Sequence, residues 1–213
     1  RIGSASYRPY LDRAAKEGKL KLLAYDCYTQ MWKGESGYDV YFNNLREHME
    51  ASLQNNIPFC TTLLSSGHYD YNCPTDDDFR WQISTAVAFG AKSIAWFYIH
   101  GTAPGENYRK FPINAFDERT YQFECLSYEN RAFLKKFGAL MLELTPEKPA
   151  FTSKAYGGAG LFEPDGIMTA AKGSKGYPLL ISRFSGPEDA KYYAVVNLDR
   201  TDSQCAELAF APG

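Results

Sequence analysis

A small set of side chains in this sequence combines useful chemistry with a useful position. Asp26 closes the run LKLLAYD, which places a carboxylate at the end of an apolar, strand-like segment. There it serves as an acid or base, holds a hydroxyl group, or caps the following loop. His68 and His100 follow two further runs of the same kind, IPFCTTLLSSG and KSIAWFYI. An imidazole at such a point either donates to a hydroxyl and relays a proton near neutral pH, or fixes a loop by a hydrogen bond. Trp96 and Tyr98 share one side of their strand by its two-residue period, and either stack on a flat ligand or fill a core. Tyr28, Trp32 and Tyr69 fall just beyond the strand-like runs, in company with Tyr71 and Tyr108. Aromatics make up 15% of the chain, and their concentration near loops suggests a surface that stacks on flat ligands.

Several chemistries are excluded or disfavoured. Ser65-Ser66-Gly67 does not match GxSxG, so a nucleophile elbow is not supported. No GxGxxG or GxxxxGK[ST] occurs, so a phosphate-cradling loop is not indicated. Cys27, Cys60, Cys73, Cys125 and Cys205 form an odd set without CxxC spacing, which argues against a zinc site or a disulfide framework. The spacing of His68 and His100 does not specify a metal, and no cofactor is expected. With a net charge of −2 and unclustered lysines and arginines, a nucleic-acid surface is not expected. No apolar run approaches the roughly 18 residues of a membrane span.

These residues must be positioned by helix-then-strand units. Tyr7 to Lys16 reads as a helix stopped by Gly18, with the strand KLKLLAYD after it. Tyr38 to Asn55 is amphipathic, with Tyr38, Phe42, Leu45, Met49 and Leu53 on one face, and leads to IPFCTTLL. His48 lies within this helix, either facing solvent or packed. Thr75 and Asp78 form a capping box ahead of Phe79, Ile83, Ala86 and Val87. Gly90 suits the position after that helix, where a left-handed backbone costs glycine little. Three such units predict a parallel sheet with sites at the C-terminal strand ends. A last helix is predicted over about Glu129 to Leu144, with Ser127 as its cap and Phe133, Phe137, Leu140, Met141 and Leu144 inward. Beyond Thr145-Pro146 the pattern changes to short strands, PLLISRF, KYYAVVNL and CAELAF, joined by polar turns such as GPEDAK.

LLAYDCY, YFNNLREHMEASLQNNIPF and FRWQISTAVAFGAKSIAWFYIHG together resemble the later barrel segments of glycoside hydrolase-like proteins. They are similar to the (β/α)8 enzymes around the family 42 beta-galactosidases and to bacterial glycosidase-like proteins. The trailing PLLISRF…YYAVVNLDR resembles the β-domain such enzymes often carry. The resemblance implies an α/β fold: the C-terminal part of a (β/α)8 TIM barrel followed by a small all-β domain. Residues 1–146 would hold strands six to eight, and 147–213 an incomplete β-sandwich-like domain. It implies a carbohydrate substrate, for which the strand ends and nearby loops offer Asp26, His68 and His100 as catalytic candidates and Tyr28, Trp32, Tyr69, Trp96 and Tyr98 as binding candidates. A retaining mechanism needs two carboxylates about 5–5.5 Å apart. The second strand ends in Thr61-Thr62-Leu63-Leu64-Ser65-Ser66, without the glutamate the resemblance places there. The alternatives are therefore a glycosidase that uses Asp26 and a relative that binds sugar without cleaving it. Three units cannot close a barrel, so a missing N-terminal barrel half or a partner chain is expected to cover the open sheet edges.

Overall fold

The structure, a computed structural model, describes residues 7–101 and 107–212. Helix α1 (Tyr7–Glu17) leads to strand β1 (Leu23–Asp26), and α2 (Tyr38–Asn55) leads to β2 (Phe59–Leu64). A short strand β3 (Gly67–His68) precedes α3 (Asp76–Ala88), which leads to β4 (Ser93–Phe97). Strand β5 (Tyr108–Arg109) follows, then α4 (Tyr121–Phe133), which runs through a π-helical segment, Leu134–Gly138, into α5 (Ala139–Glu143). The remainder is β6 (Thr145–Phe151), β7 (Met168–Gly173), β8 (Leu179–Ser185), β9 (Lys191–Asn197) and β10 (Ala206–Phe210).

Local signals account for most of these boundaries. The capping box is present: Thr75 Oγ1 accepts from the Asp78 amide, and Asp78 accepts from the Thr75 amide. Gly90 has φ +87°, and a Cβ there would meet Pro146 at 2.4 Å. Both its backbone and its contact with β6 therefore demand glycine. The last helix begins at Tyr121, well before the predicted Glu129. Its buried face is Gln122, Cys125, Leu126 and Glu129, too polar for an apolar period to reveal. Thr120 fixes the entry by donating to the Phe111 and Pro112 carbonyls, and Phe137, predicted inward, is half exposed.

The barrel expected from the sequence is not formed. Strands β1, β2 and β4 make one three-stranded parallel sheet in the order β1-β2-β4. The other strands form small separate sheets: β3 with β5, β6-β8-β9, and β10 with β7. Closing a sheet on itself takes about eight tilted strands. Here β1 and β4 end as edges, and the chain after β4 turns into a ribbon, a helix and antiparallel strands. Helices cover only one face of the parallel sheet. Leu23, Phe59 and Leu63 are buried on that face, Tyr25 stacks on His48 of α2, and Trp96 meets Phe79 of α3. The opposite face carries two in-register rows, Ala24-Cys60-Ser93 and Asp26-Thr62-Ala95. Ala24, Asp26, Ser93 and Ala95 are exposed there.

The β6-β8-β9 sheet packs on the outer side of α2 and α3. Phe42, fully buried, lies 5.1 Å from Phe151, 5.7 Å from Tyr156 and 5.8 Å from both Trp81 and Phe89 by ring centroids. One continuous core includes Leu23 and Phe59 of the first sheet and Leu180 and Val196 of the second. Polar contacts fix the register between the layers. Arg46 donates to the Gly157 carbonyl at 2.9 Å, and Asp39 accepts from the Gly157 amide at 3.0 Å. Gly157 has φ +61°, and a Cβ there would collide with the α2 backbone at 2.2 Å. Arg200 pairs with Asp78 at 3.1 Å and lies over the rings of Tyr38 and Trp81.

Two outcomes follow from this packing. Phe42→Ala leaves a cavity between the layers and lowers stability by about 3–5 kcal/mol in urea titration; a loss under about 1 kcal/mol would mean the layers do not depend on this ring. His48 is 1% exposed, and its burial lowers the imidazole pKa to about 4 from 6.5. The unfolded chain then binds a proton that the fold refuses. This contribution to stability is complete above about pH 6.5 and is lost as pH falls towards 4. Between pH 7 and 5 the loss is about 2 kcal/mol. His48→Gln should flatten the pH dependence by that amount in paired denaturation curves.

Candidate functional site

The C-terminal ends of β1, β2 and β4 meet the β3–β5 ribbon, and aromatic rings gather where they meet. Backbone bonds set the frame: the Ser65 amide donates to Phe97 O at 2.6 Å, and the Tyr98 amide donates to Ser66 Oγ at 3.3 Å. The ribbon pairs His68 with Tyr108 and Gly67 with Arg109. A Cβ on Gly67 would strike the Cys73 sulfur at 2.5 Å, so the turn stays tight. Arg109 clamps the loop beyond the ribbon by donating to the Tyr69 and Tyr71 carbonyls at 3.1 and 3.0 Å.

His68 is the centre of the cluster. Its ring lies 4.9 Å from both Tyr71 and Tyr108, 5.5 Å from Phe97 and 5.9 Å from Tyr28. Tyr28 stacks on Phe97 at 5.5 Å, and Trp32 stacks on Tyr71 at 6.3 Å. Tyr98, joined to Phe97 by a cis peptide bond, continues the cluster to Tyr108 and Phe111. Tyr69 stands at the rim, 66% exposed and 5.6 Å from His68. The floor is Leu64 and Met31.

Electrostatics keep this surface neutral and rich in donors. Burial lowers the His68 pKa, against a raising contribution from the Ser66 backbone, and the Arg109 charge lowers it further. The imidazole is therefore chiefly uncharged at pH 7. Burial also raises the Tyr28 hydroxyl well above its usual range, with the Asp26 carboxylate adding charge repulsion and a hydrogen bond. The Tyr71 hydroxyl is raised by burial and by Cys27, Asp26 and Asp70. Both phenols stay protonated and can donate. Asp26, exposed at the end of β1, supplies a carboxylate beside them.

The structure thus assembles Asp26, Tyr28, Trp32, His68, Tyr69 and Tyr98, but it separates two residues singled out from the sequence. Trp96 points to the helical side, donating from Nε1 to Asn130 at 3.2 Å and meeting Phe79 edge-on at 5.5 Å. It is a packing residue between β4, α3 and α4. His100 bonds Asp117 at 2.7 Å as an exposed pair, and no ring contact joins it to His68 among the described residues. Phe97, Phe111 and Arg109 belong to the site but were not singled out. The signal for Phe97 was present in strand alternation: Ser93, Ala95 and Phe97 share the bare face, whereas Ile94 and Trp96 face the helices.

Concavities among the described residues lie elsewhere in the fold, and two of them bear on the choice of site. A cleft of about 500 Å³ between α3 and the β9–β10 loop is lined by Asp77, Arg80, Trp81, Arg200 and Asp202 among others. Most of its charges are already paired, Arg80 with Asp77 and Glu129, Arg200 with Asp78, and Asp202 with Lys175, while Asp199 accepts from Thr201 in its own loop. A groove of about 580 Å³ beside α4 and α5 is chiefly apolar. Among the described residues, no three His, Cys, Asp or Glu side chains gather to hold a metal ion. None of the described helices is long and apolar enough to cross a membrane.

No protein-family model matches the chain, and no curated protein matches it. The arrangement at the strand ends has a definite chemistry. It offers flat apolar rings, protonated phenols, a neutral imidazole and one strand-end carboxylate. NMR titration should place the His68 midpoint below 6.5, and Arg109→Gln should raise it; a midpoint at or above 6.5 in the unaltered chain would contradict the burial described.

Proposed function

We propose that the chain binds carbohydrate on the aromatic cluster centred on His68, without cleaving it. One observation carries this reading. Tyr28, His68, Tyr71, Phe97, Tyr98 and Tyr108 converge within contact distance at one set of strand ends, with Asp26 beside them. The apolar face of a sugar ring stacks on such rings, while phenols and imidazole exchange hydrogen bonds with its hydroxyls. Trp32 and Tyr69, both exposed, extend the surface to a second ring. The resemblance of three sequence segments to glycoside hydrolase-like proteins supports the same class of ligand.

Binding is favoured over hydrolysis by the carboxylates. Glycoside cleavage uses two, either about 5–5.5 Å apart or about 6.5–9.5 Å apart. The strand ends bring Asp26 to the cluster, whereas β2 contributes Ser65 and Ser66 where a second acid would be needed. A carboxylate hydrogen-bonded to a tyrosine, as Asp26 is to Tyr28, is suited to hold a hydroxyl. Asp26 so placed lends hydrolysis its one specific argument, and that reading requires turnover that Asp26→Asn abolishes.

Calorimetric titration with a panel of soluble oligosaccharides tests the proposal. At least one should bind, and Tyr71→Ala should weaken it at least about tenfold, equivalent to about 1.4 kcal/mol. Trp96→Phe, away from the cluster, should leave affinity unchanged. Absence of binding across the panel, or equal affinity after Tyr71→Ala, would refute the reading.

A further inference from the structure

Charge is distributed unevenly around the aromatic cluster. Asp26 is exposed at the end of β1. Its carboxylate accepts from the Tyr28 hydroxyl, which leaves it acceptor capacity for a further donor. Asp26 and Asp70 both act on the Tyr71 hydroxyl. Among the described residues, neither carboxylate is paired with a cation. Arg109 lies on the other side of the cluster. Its guanidinium is spent on the carbonyls of Tyr69, Tyr71 and Asn107 and on the Asn107 side chain, and its charge acts on His68. The rings beside the acids form a corner. Tyr28 and Tyr71 stand almost perpendicular, at 88° with centroids 5.9 Å apart, and Trp32 lies nearly parallel to Tyr71 at 15°. The Trp32 indole N–H bonds the Tyr71 hydroxyl and so holds the two rings together.

We infer that the sugar bound here is a basic amino sugar, whose ammonium group bonds Asp26 and lies against the Tyr71 ring. Two attractions act on such a group at this corner. An aromatic face draws a cation within about 6 Å of its centroid. A carboxylate takes an ammonium N–H in a charge-assisted hydrogen bond, roughly twice as strong as one between neutral groups. Other sugars match the corner less well. A neutral one leaves the charge of Asp26 without a counter-ion, and an acidic one meets repulsion from Asp26 and Asp70. The separation of charge also orients the ligand. Its amino end belongs at Asp26, and its hydroxyl groups belong towards His68 and Tyr108, away from Arg109's competing charge only at the first of these ends. The inference rests on the sugar-binding reading and narrows its ligand.

Calorimetric titration with matched pairs of oligosaccharides tests it. The members of a pair differ only in that one carries free amino groups and the other N-acetylated ones. Glucosamine and galactosamine oligomers supply the pairs, at about pH 6, where such amines are charged, and neutral glucose oligomers serve as reference. In at least one series the amino member should bind at least about tenfold more tightly than its N-acetylated partner. Added salt should shrink that ratio, since exposed charges are screened. Asp26→Asn keeps the shape of the side chain and should bring the ratio close to one, with a thermal melt that matches the unaltered chain. Binding of neutral or N-acetylated sugars without preference for the amino member would overturn the inference and leave the sugar-binding reading standing. A preference that survives Asp26→Asn, or that salt does not reduce, would overturn it as well. Failure of every sugar to bind, amino, acetylated and neutral alike, would overturn both.

Discussion

The Phe42 ring on α2 meets Phe151 of β6 at 5.1 Å and Tyr156 at 5.7 Å, and the two halves of the chain hold together through this contact. A parallel sheet covered on one side by helices leaves the outer helix surfaces to be buried by something else. Here the antiparallel β6-β8-β9 sheet buries them, and Tyr38, Trp81, Phe89 and Phe151 close around Phe42. The surrounding polar contacts act as alignment devices. Glu35 accepts from Tyr156 at 2.8 Å and also bonds Tyr177 and Lys154. Arg200 reaches from the loop after β9 to Asp78 between two aromatic rings. Each such pair aligns layers that apolar burial has already brought together, since hydrophobic contact is non-directional.

The same arrangement explains why the site lies where it does. With the helices pinned between two sheets, the parallel sheet keeps its other face bare, and the residues there are small: Ala24, Cys60, Ser93 and Ala95. At the C-terminal edge of this face the side chains become large, and Tyr28 and Phe97 stack over a floor of Leu64 and Met31. The β3–β5 ribbon then lays His68 and Tyr108 across it. Rings supported from beneath, with the adjoining loop clamped by Arg109, would leave little ordering cost for the binding proposed above.

The helix-and-strand content of the first half was legible because it rests on local signals. The Thr75–Asp78 capping box, the positive φ of Gly90 and the apolar period of α2 can all be read from neighbouring residues. Closure was not legible. Whether three parallel strands join a barrel depends on pairing at β1 and β4, which no residue within those strands encodes. For the site, the strand-end rule pointed to Asp26, Tyr28 and His68, and the structure sets Tyr28 beside both of the others. Trp96 and His100 lie apart from the cluster for different reasons. Which face of β4 the helices cover is a tertiary fact, and it takes Trp96 inward. His100 finds Asp117 in a loop that sequence spacing could not bring to it. Phe111 and Arg109 join the site through the two-residue ribbon, a pairing too short to leave a pattern.

The proposed function requires that ligand reach the His68 cluster and not the charged cleft at Arg200. Mapping backbone amide shifts by NMR during titration with an oligosaccharide tests that claim most directly. The largest changes should fall at residues 26–28, 65–71, 97–98 and 108–111, with the amides around Arg80 and Arg200 unmoved. Changes centred on residues 197–203, or none anywhere at saturating sugar, would contradict it.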